Sequence, residues 1–486
     1  MTQFRRSTLV VAAFGGVALI LLLHGCSDEK TTSPRRRAAT AIAPDGLVSS
    51  MLGEWSAVMP APIVQLHLHL LTNGKVLSWG MNGDPQMWDP VTGSFTAMPS
   101  PSWLFCAGHD FLPDGRLLVA GGHIAASRGL PNTNFFNATT GGWQTGPPMA
   151  EGRWYPTNTT LPDGEMLTIA GSDSSAANVT VPEVWDGSNW RQLTGAGRAL
   201  DYYPRTFVAP DGRVFYAGED GSKFLDVTGT GNWSDGPTRL YTTRDYGTAV
   251  MYAPGKVLYV GGGDPPTSTA EIIDLNDPAP QWRFTAAMTF ARRQLNATVL
   301  PTGGVLVTGG TSGNGFNNPM GAVHAAELWN PETGTWQLLA SNVVTRIYHS
   351  TSLLLPDGRV LHTGSGDAAG AVNELNYELF SPPYLFKGPR PTITTPPPSA
   401  VVYGQTVFVT TPDVANIAKV SFVRFGSVTH AFNMGQRFVP LTFTQTPGGL
   451  SIAIPSSRTV ATPGPYLLFL VTADGIPSIG QIVLLR

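Results

Sequence analysis

The sequence predicts an all-β protein, a seven-bladed β-propeller followed by an immunoglobulin-like β-sandwich, and three observations carry that prediction. The composition, 55 Gly and 41 Pro in 486 residues with only 13% charged side chains, favours many short strands joined by turns. A strand-turn-strand unit recurs seven times through the middle of the chain. A Pro-rich joint at 388–400 then opens a second run of short strand candidates. The length exceeds one ordinary core, so two domains are expected. A formal net charge of -3 gives no basic footprint for nucleic acid, so none is expected as a partner.

The chain begins with a targeting pattern. Arg5 and Arg6 precede an apolar run over 9–23, and Leu23-His24-Gly25-Cys26 resembles a bacterial lipoprotein cleavage box. Residues 1–25 are read as the signal peptide, Cys26 as the lipid attachment site, and 26–52 as a flexible tether. An uncleaved signal anchor is the alternative, although the run is short for a spanning helix. Both readings place the folded part outside the cytoplasm, in the cell envelope, with a membrane as partner. Of the two cysteines, Cys106 alone then lies in the folded region, where a lone thiol is buried, paired between chains or chemically employed. A Cys26–Cys106 disulfide is the competing account.

The propeller is read over 53–388. Its repeat is anchored by a turn glycine at Gly74, Gly115, Gly164, Gly212, Gly255, Gly303 and Gly358, in segments such as LPDGRLLVAGG and LLPDGRVLHTG. Successive intervals run from 41 residues (Gly74 to Gly115) to 55 residues (Gly303 to Gly358), the period of propeller blades. Each unit has an apolar strand, a Pro-Asp-Gly type of turn and a second apolar strand ending in Gly. A later Trp or Phe often follows, as in AELWNPETGTW. This is the kelch-type pattern. A series of open sandwiches explains the strands but not the fixed period.

Aligned repeats allow equivalent positions to be compared. Nine residues before each turn glycine stand Gln65, Cys106, Tyr155, Tyr203, Tyr246, Gln294 and His349. The position before holds Val64, Phe105, Trp154, Tyr202, Asp245, Arg293 and Tyr348. Both fall at the start of the strand nearest a propeller axis, so a thiol, three phenols and an imidazole are expected around one mouth of the channel. A purely structural ring favours small or aliphatic residues, because buried Tyr and His need polar partners. His67 and His69 alternate on the first inner strand. They read either as a metal pair or as polar residues facing the channel. His109 and His123 read as supporting or loop residues, and His324 and His362 have no assigned partner.

Beyond the joint, 389–486 contains TVFVTT, KVSFVRFG, FVPLTF, LSIAIP and YLLFLVT, strand candidates of an immunoglobulin-like sandwich. His430 lies here, outside the ring.

The segments SWLFCAGHDFLPDGRLLVAGG, EGRWYPTNTTLPDGEMLTIAGS, TRIYHSTSLLLPDGRV and VRFGSVTHAFNMGQRFVPLTF resemble the four active-site segments of the galactose oxidase and glyoxal oxidase family of copper-radical oxidases. The resemblance spans 55–486, and the architecture is more similar to glyoxal oxidase. By that resemblance Cys106 and Tyr155 form a thioether-linked radical cofactor, and Tyr155, Tyr348, His349 and His430 bind one copper ion, His430 arriving on a loop of the second domain. Tyr348 is then the axial base and Tyr155 the hydrogen-atom acceptor, in a two-electron oxidation of a primary alcohol, hydrated aldehyde or carbohydrate in which O2 becomes H2O2. A monomer is expected.

This chain departs from the family at Ala170-Gly171-Ser172-Asp173, where Asp173 stands at the position of the tryptophan that galactose oxidase stacks over the cross-linked pair. Galactose specificity is therefore not implied, and Trp154 is the nearest indole able to cover Tyr155 instead. Tyr203, Tyr246, Arg244 and Phe316 are expected to line the pocket. A glycan hydrolase needs a carboxylate pair, and Asp245 is the single acid in the two aligned positions. A non-catalytic kelch scaffold binding envelope glycans or proteins stays open as the alternative.

Overall fold

A computed structural model describes residues 45–368 and 370–486. The signal segment 1–25, the lipidation residue Cys26 and the tether up to residue 44 lie outside the described residues. Residues Asp45–Leu52, read from sequence as tether, form a short α-helix instead. DGLVSSML has no Pro and no interior Gly beyond its first turn, which lets the helix form.

Among the described residues the chain after this helix builds seven successive antiparallel sheets of four or more strands. Their first strands are His67–Leu70, Gly108–Phe111, Thr157–Thr160, Thr206–Val208, Thr248–Ala253, Asn296–Val299 and Ser350–Leu354. Nearly every residue on them is buried. Strand Glu54–Trp55, from the start of the described chain, pairs with Asn376–Ser381 of the seventh sheet. Thr351 and Thr363 of that sheet donate hydrogen bonds to the main-chain and side-chain oxygens of Gln65, at 2.8 and 3.0 Å, ahead of the first sheet.

Several sheets are tied by buried ion pairs: Arg153 with Glu183, Arg239 and Arg244 with Glu271, Arg292 with Glu327, and Arg346 with Glu378, all with side chains 0% exposed. The arginines also donate to strand-end carbonyls, for example Arg153 to Ala170 and Val181. The glutamates accept from loop N–H groups, as Glu327 does from Thr289. Each pair thereby answers backbone groups that the loops would otherwise bury unpaired.

The second domain packs one sheet containing Ile417–Arg424 and Gly464–Thr472 against a smaller sheet of Thr406–Thr410, Phe443–Thr446 and Gly449–Ala453. This is the predicted immunoglobulin-like sandwich. Arg424 bolts it to the second sheet: its guanidinium meets Asp110 at 2.7 Å, donates to the Phe111 carbonyl at 3.0 Å and reaches Thr160 Oγ1 at 2.8 Å.

From beside that bolt a hairpin, Ser427–Thr429 with Phe432–Asn433, pairs onto the first inner strand, Leu68 opposite Val428 and His69 opposite Ser427. Its two turn residues, His430 and Ala431, have φ of 46° and 63°, the left-handed pair that a tight two-residue hairpin requires. His430 thus sits at the very tip.

Candidate active site

Counting back from the turn glycines found a structural position as well as a list of residues. Cys106, Tyr155, Tyr203, Tyr246, Gln294 and His349 have φ of 64°, 65°, 48°, 53°, 58° and 68°, all left-handed. The reason is local. Each stands third in a turn that leads into an inner strand, and the turns at Cys106, Tyr246 and His349 close through Ala107 N–H to Leu104 O, Gly247 N–H to Arg244 O and Ser350 N–H to Ile347 O. Positive φ at the third residue is the type II pattern, normally given to Gly or Asn. A non-glycine there costs about 1–2 kcal/mol. The chain accepts that strain at six equivalent places of the repeat.

The four side chains proposed as ligands come together, although they arise from three separate turns. Tyr155 Oη lies 2.8 Å from Tyr348 Oη, 2.8 Å from His430 Nε2 and 3.4 Å from His349 Nε2. All four residues are at most 7% exposed. Cys106, 0% exposed and a free thiol, packs in the same cluster, and its carbonyl accepts the Tyr155 N–H at 2.8 Å.

Second partners fix the imidazoles. His349 Nδ1 is 2.7 Å from the Gly366 carbonyl, which can only accept, so Nδ1 carries the proton and Nε2 presents a bare lone pair to the phenols. His430 Nδ1 meets Thr429 Oγ1 at 2.6 Å, with Nε2 again facing inward. Burial lowers both imidazoles, His349 to about 3, and the His349 ring further lowers His430. Burial likewise raises Tyr155 and Tyr348 well above the ordinary phenol value, and lifts the Cys106 thiol.

Two neutral imidazoles and two phenols around one point form a donor set that suits Cu(II). The crowding of three polar neighbours about one hydroxyl is what a shared cation would relieve. A dication there would also offset the burial that now disfavours phenolate.

Trp154 lies flat on Tyr155, ring centroids 3.6 Å apart and planes 6° from parallel, with its indole N–H donated to His123 Nδ1 at 3.0 Å. Tyr203 stacks against Tyr155 as well, at 4.7 Å, with its hydroxyl on the Ala107 carbonyl. Asp173 instead closes its own turn by accepting from Ser175 and Ala177.

A cavity of about 180 Å3 touches Tyr155 and His430. Tyr203 and Tyr246 line it as expected; Phe316 does not, and packs edge-on to Tyr348 at 4.6 Å instead. Arg244 does not line it, being buried against Glu271. Asp201, Arg205 and Glu219 do, and sequence reasoning missed them. Burial pushes Glu219 up to about 7 although Arg205 pulls it down. Their sequence signal is slight: Asp201 and Arg205 stand two residues before and after Tyr203, and Glu219 seven after Gly212, aligned positions where the other units carry different residues. His67 and His109 spend ring nitrogens on each other at 2.8 Å, and both His67 and His69 stack on Trp79.

A fold of successive antiparallel sheets, with a hairpin bringing an imidazole to a thiol, two phenols and a second imidazole, defines a redox-enzyme class of site. Comparisons agree with that class. Residues 264–384 match the family model described as glyoxal oxidase N-terminus, and 390–485 that of the galactose oxidase-like early set domain. Galactose oxidase of Gibberella zeae is 30% identical, over 89% of this chain and 70% of its own. Aldehyde oxidase GLOX of Vitis pseudoreticulata is 29% identical, over 78% of this chain and 81% of its own. A solved structure titled as a novel fungal alcohol oxidase of the AA5 family, in complex with copper, superposes with a TM-score of 0.82 at 26% identity, over 90% of this chain and 100% of that one. The chain belongs to the galactose oxidase and glyoxal oxidase family of copper-radical oxidases, and it is an oxidoreductase.

Proposed function

We propose that this protein is a copper-radical oxidase that oxidises a primary alcohol or hydrated aldehyde, free or carried on a carbohydrate, by two electrons, with O2 reduced to H2O2. The observation that carries this is the meeting of Tyr155 Oη with Tyr348 Oη, His349 Nε2 and His430 Nε2 beside the buried Cys106. Those four atoms would hold the copper ion, which supplies one electron acceptor and acidifies a bound hydroxyl. Tyr155, once joined to Cys106 by a thioether, would supply the second electron acceptor and would take the hydrogen atom from the substrate carbon. Tyr348, whose ring packs edge-on to Tyr246 and Phe316, would receive the hydroxyl proton at Oη. The surrounding sheets act as a closed seven-bladed kelch-type propeller, a reading supported by the strand pairing and Gln65 hydrogen bonds that tie the seventh sheet to the chain start.

The test is peroxide release by the copper-loaded protein across simple aldehydes, primary alcohols and polyols, against the copper-free protein. Absence of peroxide from every class would return the scaffold reading. Trp154, stacked on Tyr155, takes the covering task that Asp173 cannot. Trp154→Ala is expected to shorten the radical's lifetime about tenfold, read as decay of its visible absorption after oxidation. An unchanged decay would remove the indole from the cofactor. The protein acts as a monomer in the cell envelope, lipid-anchored through Cys26. Cys26→Ser is expected to move it from the membrane to the soluble fraction on cell fractionation, and continued membrane association would favour the uncleaved anchor.

A further inference from the structure

Three backbone N–H groups of the ring share one pattern. Tyr155, Tyr203 and Gln294 each donate to the carbonyl of the preceding ring residue, at 2.8, 2.9 and 2.9 Å. The Cys106 N–H goes elsewhere, as does that of Tyr246, which meets the Glu219 carboxylate. The preceding ring carbonyl, that of Gln65, is taken by Thr351 Oγ1, and the Cys106 N–H donates to His67 Nε2 at 3.3 Å.

His67 begins a chain of buried groups. Its Nδ1 is 2.8 Å from His109 Nε2, and His109 Nδ1 is 2.7 Å from Ser427 Oγ. The Ser427 hydroxyl donates to the His109 carbonyl at 2.9 Å. These partners fix every proton. Ser427 spends its one hydrogen on the carbonyl, so its oxygen accepts from His109 Nδ1–H. His109 Nε2 is then an acceptor, His67 Nδ1 carries a proton, and His67 Nε2 is left bare for the Cys106 N–H. His67, His109 and Ser427 are all 0% exposed. Trp79 stacks on the His67 ring at 5.0 Å and donates to the Leu104 carbonyl at 3.1 Å, the same carbonyl that closes the Cys106 turn.

Ser427 belongs to the hairpin whose tip is His430. The chain therefore links the element that delivers His430 to the main chain of Cys106. We propose that His67 is a positioning residue: through His109 and Ser427 it holds Cys106 in its left-handed turn, thiol toward Tyr155, once the second domain's hairpin has docked. This rests on the copper-radical reading. Without His67 the Cys106 N–H is buried and unpaired on top of the strain of positive φ, and the turn relaxes. The step it serves is thioether formation. The Cys106 S–H bond and one ring C–H bond of Tyr155 break, one C–S bond forms, and the two protons and two electrons released pass to O2, giving H2O2.

The test uses the full chain, purified copper-free and reduced, then given Cu(II) and air. Loss of two hydrogens by intact mass is followed in time, with copper titration and thermal unfolding on the same samples. His67→Leu is expected to slow thioether formation about tenfold or more. His67→Gln, whose amide oxygen and nitrogen stand about as far apart as the two ring nitrogens, is expected to restore most of the rate. Ser427→Ala, altering only the far end, is expected to slow it less than His67→Leu. Maturation of His67→Leu at the wild-type rate overturns the relay alone. So do Leu and Gln variants slowed equally, with equal losses of thermal stability. Should His67→Leu fail to fold, a Ser427→Ala rate equal to wild type overturns it. No thioether in the wild-type protein overturns the Cys106–Tyr155 cofactor and the relay together, while peroxide release still decides the oxidase reading.

Discussion

Cys106→Ala is expected to lower turnover about a thousandfold, equivalent to about 4 kcal/mol in the barrier, while the chain stays folded and binds copper. The residue sits at 0% exposure in a turn whose backbone is held by Tyr155, His67 and Leu104, so the fold does not depend on its sulfur. Exchanging it for Ala removes one small buried atom and should cost about 1 kcal/mol. No thiol enters the donor set of two phenol oxygens and two imidazole nitrogens. What is lost is the sulfur beside the Tyr155 oxygen, which spreads the unpaired spin and makes the phenol easier to oxidise. Peroxide-coupled kinetics, copper titration and thermal unfolding on one preparation separate these effects. Turnover within tenfold of wild type would show that an unlinked Tyr155 suffices, and the cofactor assignment would fall. Copper lost with the thiol would instead make Cys106 a ligand.

The ring was legible in the sequence because it repeats. One offset from the turn glycine located Cys106, Tyr155 and His349 together, and the structure gives the offset a cause: the same left-handed turn leads into each inner strand. The buried Arg–Glu pairs were present in the sequence too, with Arg153, Arg244 and Arg292 each two residues before a ring residue and Glu183, Glu271 and Glu327 on a later strand. Arg244 was nevertheless read as a pocket residue, because charge was weighed there without its strand partner. Asp201 and Glu219 were missed for a different reason. They stand at aligned positions, Asp201 two before Tyr203 and Glu219 seven after Gly212, where the other units carry no acid, and only folding sets them beside Arg205 and Tyr155. His430 could be placed by resemblance alone. Its position follows from a hairpin that crosses between domains and pairs with His67–Leu70, a contact no local pattern encodes. The helix Asp45–Leu52 lies within what composition suggested was tether.

The double variant His349→Ala/His430→Ala is expected to abolish specific copper binding, and each single variant to weaken it about a hundredfold or more. The imidazoles are the donors ready at neutral pH. Burial keeps both neutral, His349 down to about 3, and the Gly366 carbonyl and Thr429 hydroxyl aim each Nε2 inward. The phenols are the opposite case, since burial holds Tyr155 and Tyr348 protonated far above neutral pH. Any phenol that becomes a ligand must therefore release its proton, and mass action then makes copper affinity rise with pH, by about tenfold per unit for each phenol ionised. Protonation of the imidazoles adds nothing to that slope between about pH 5 and 8, because His349 and His430 are already neutral there. The two donor types separate in one experiment. Removing an imidazole lowers affinity at every pH and leaves the slope, whereas Tyr155→Phe should remove about one unit of slope. Competitive copper titration between pH 5.5 and 8 reads both. Binding that survives the double variant at wild-type strength would contradict the assignment of His349 and His430, and a flat profile in the wild type would exclude phenolate from the metal.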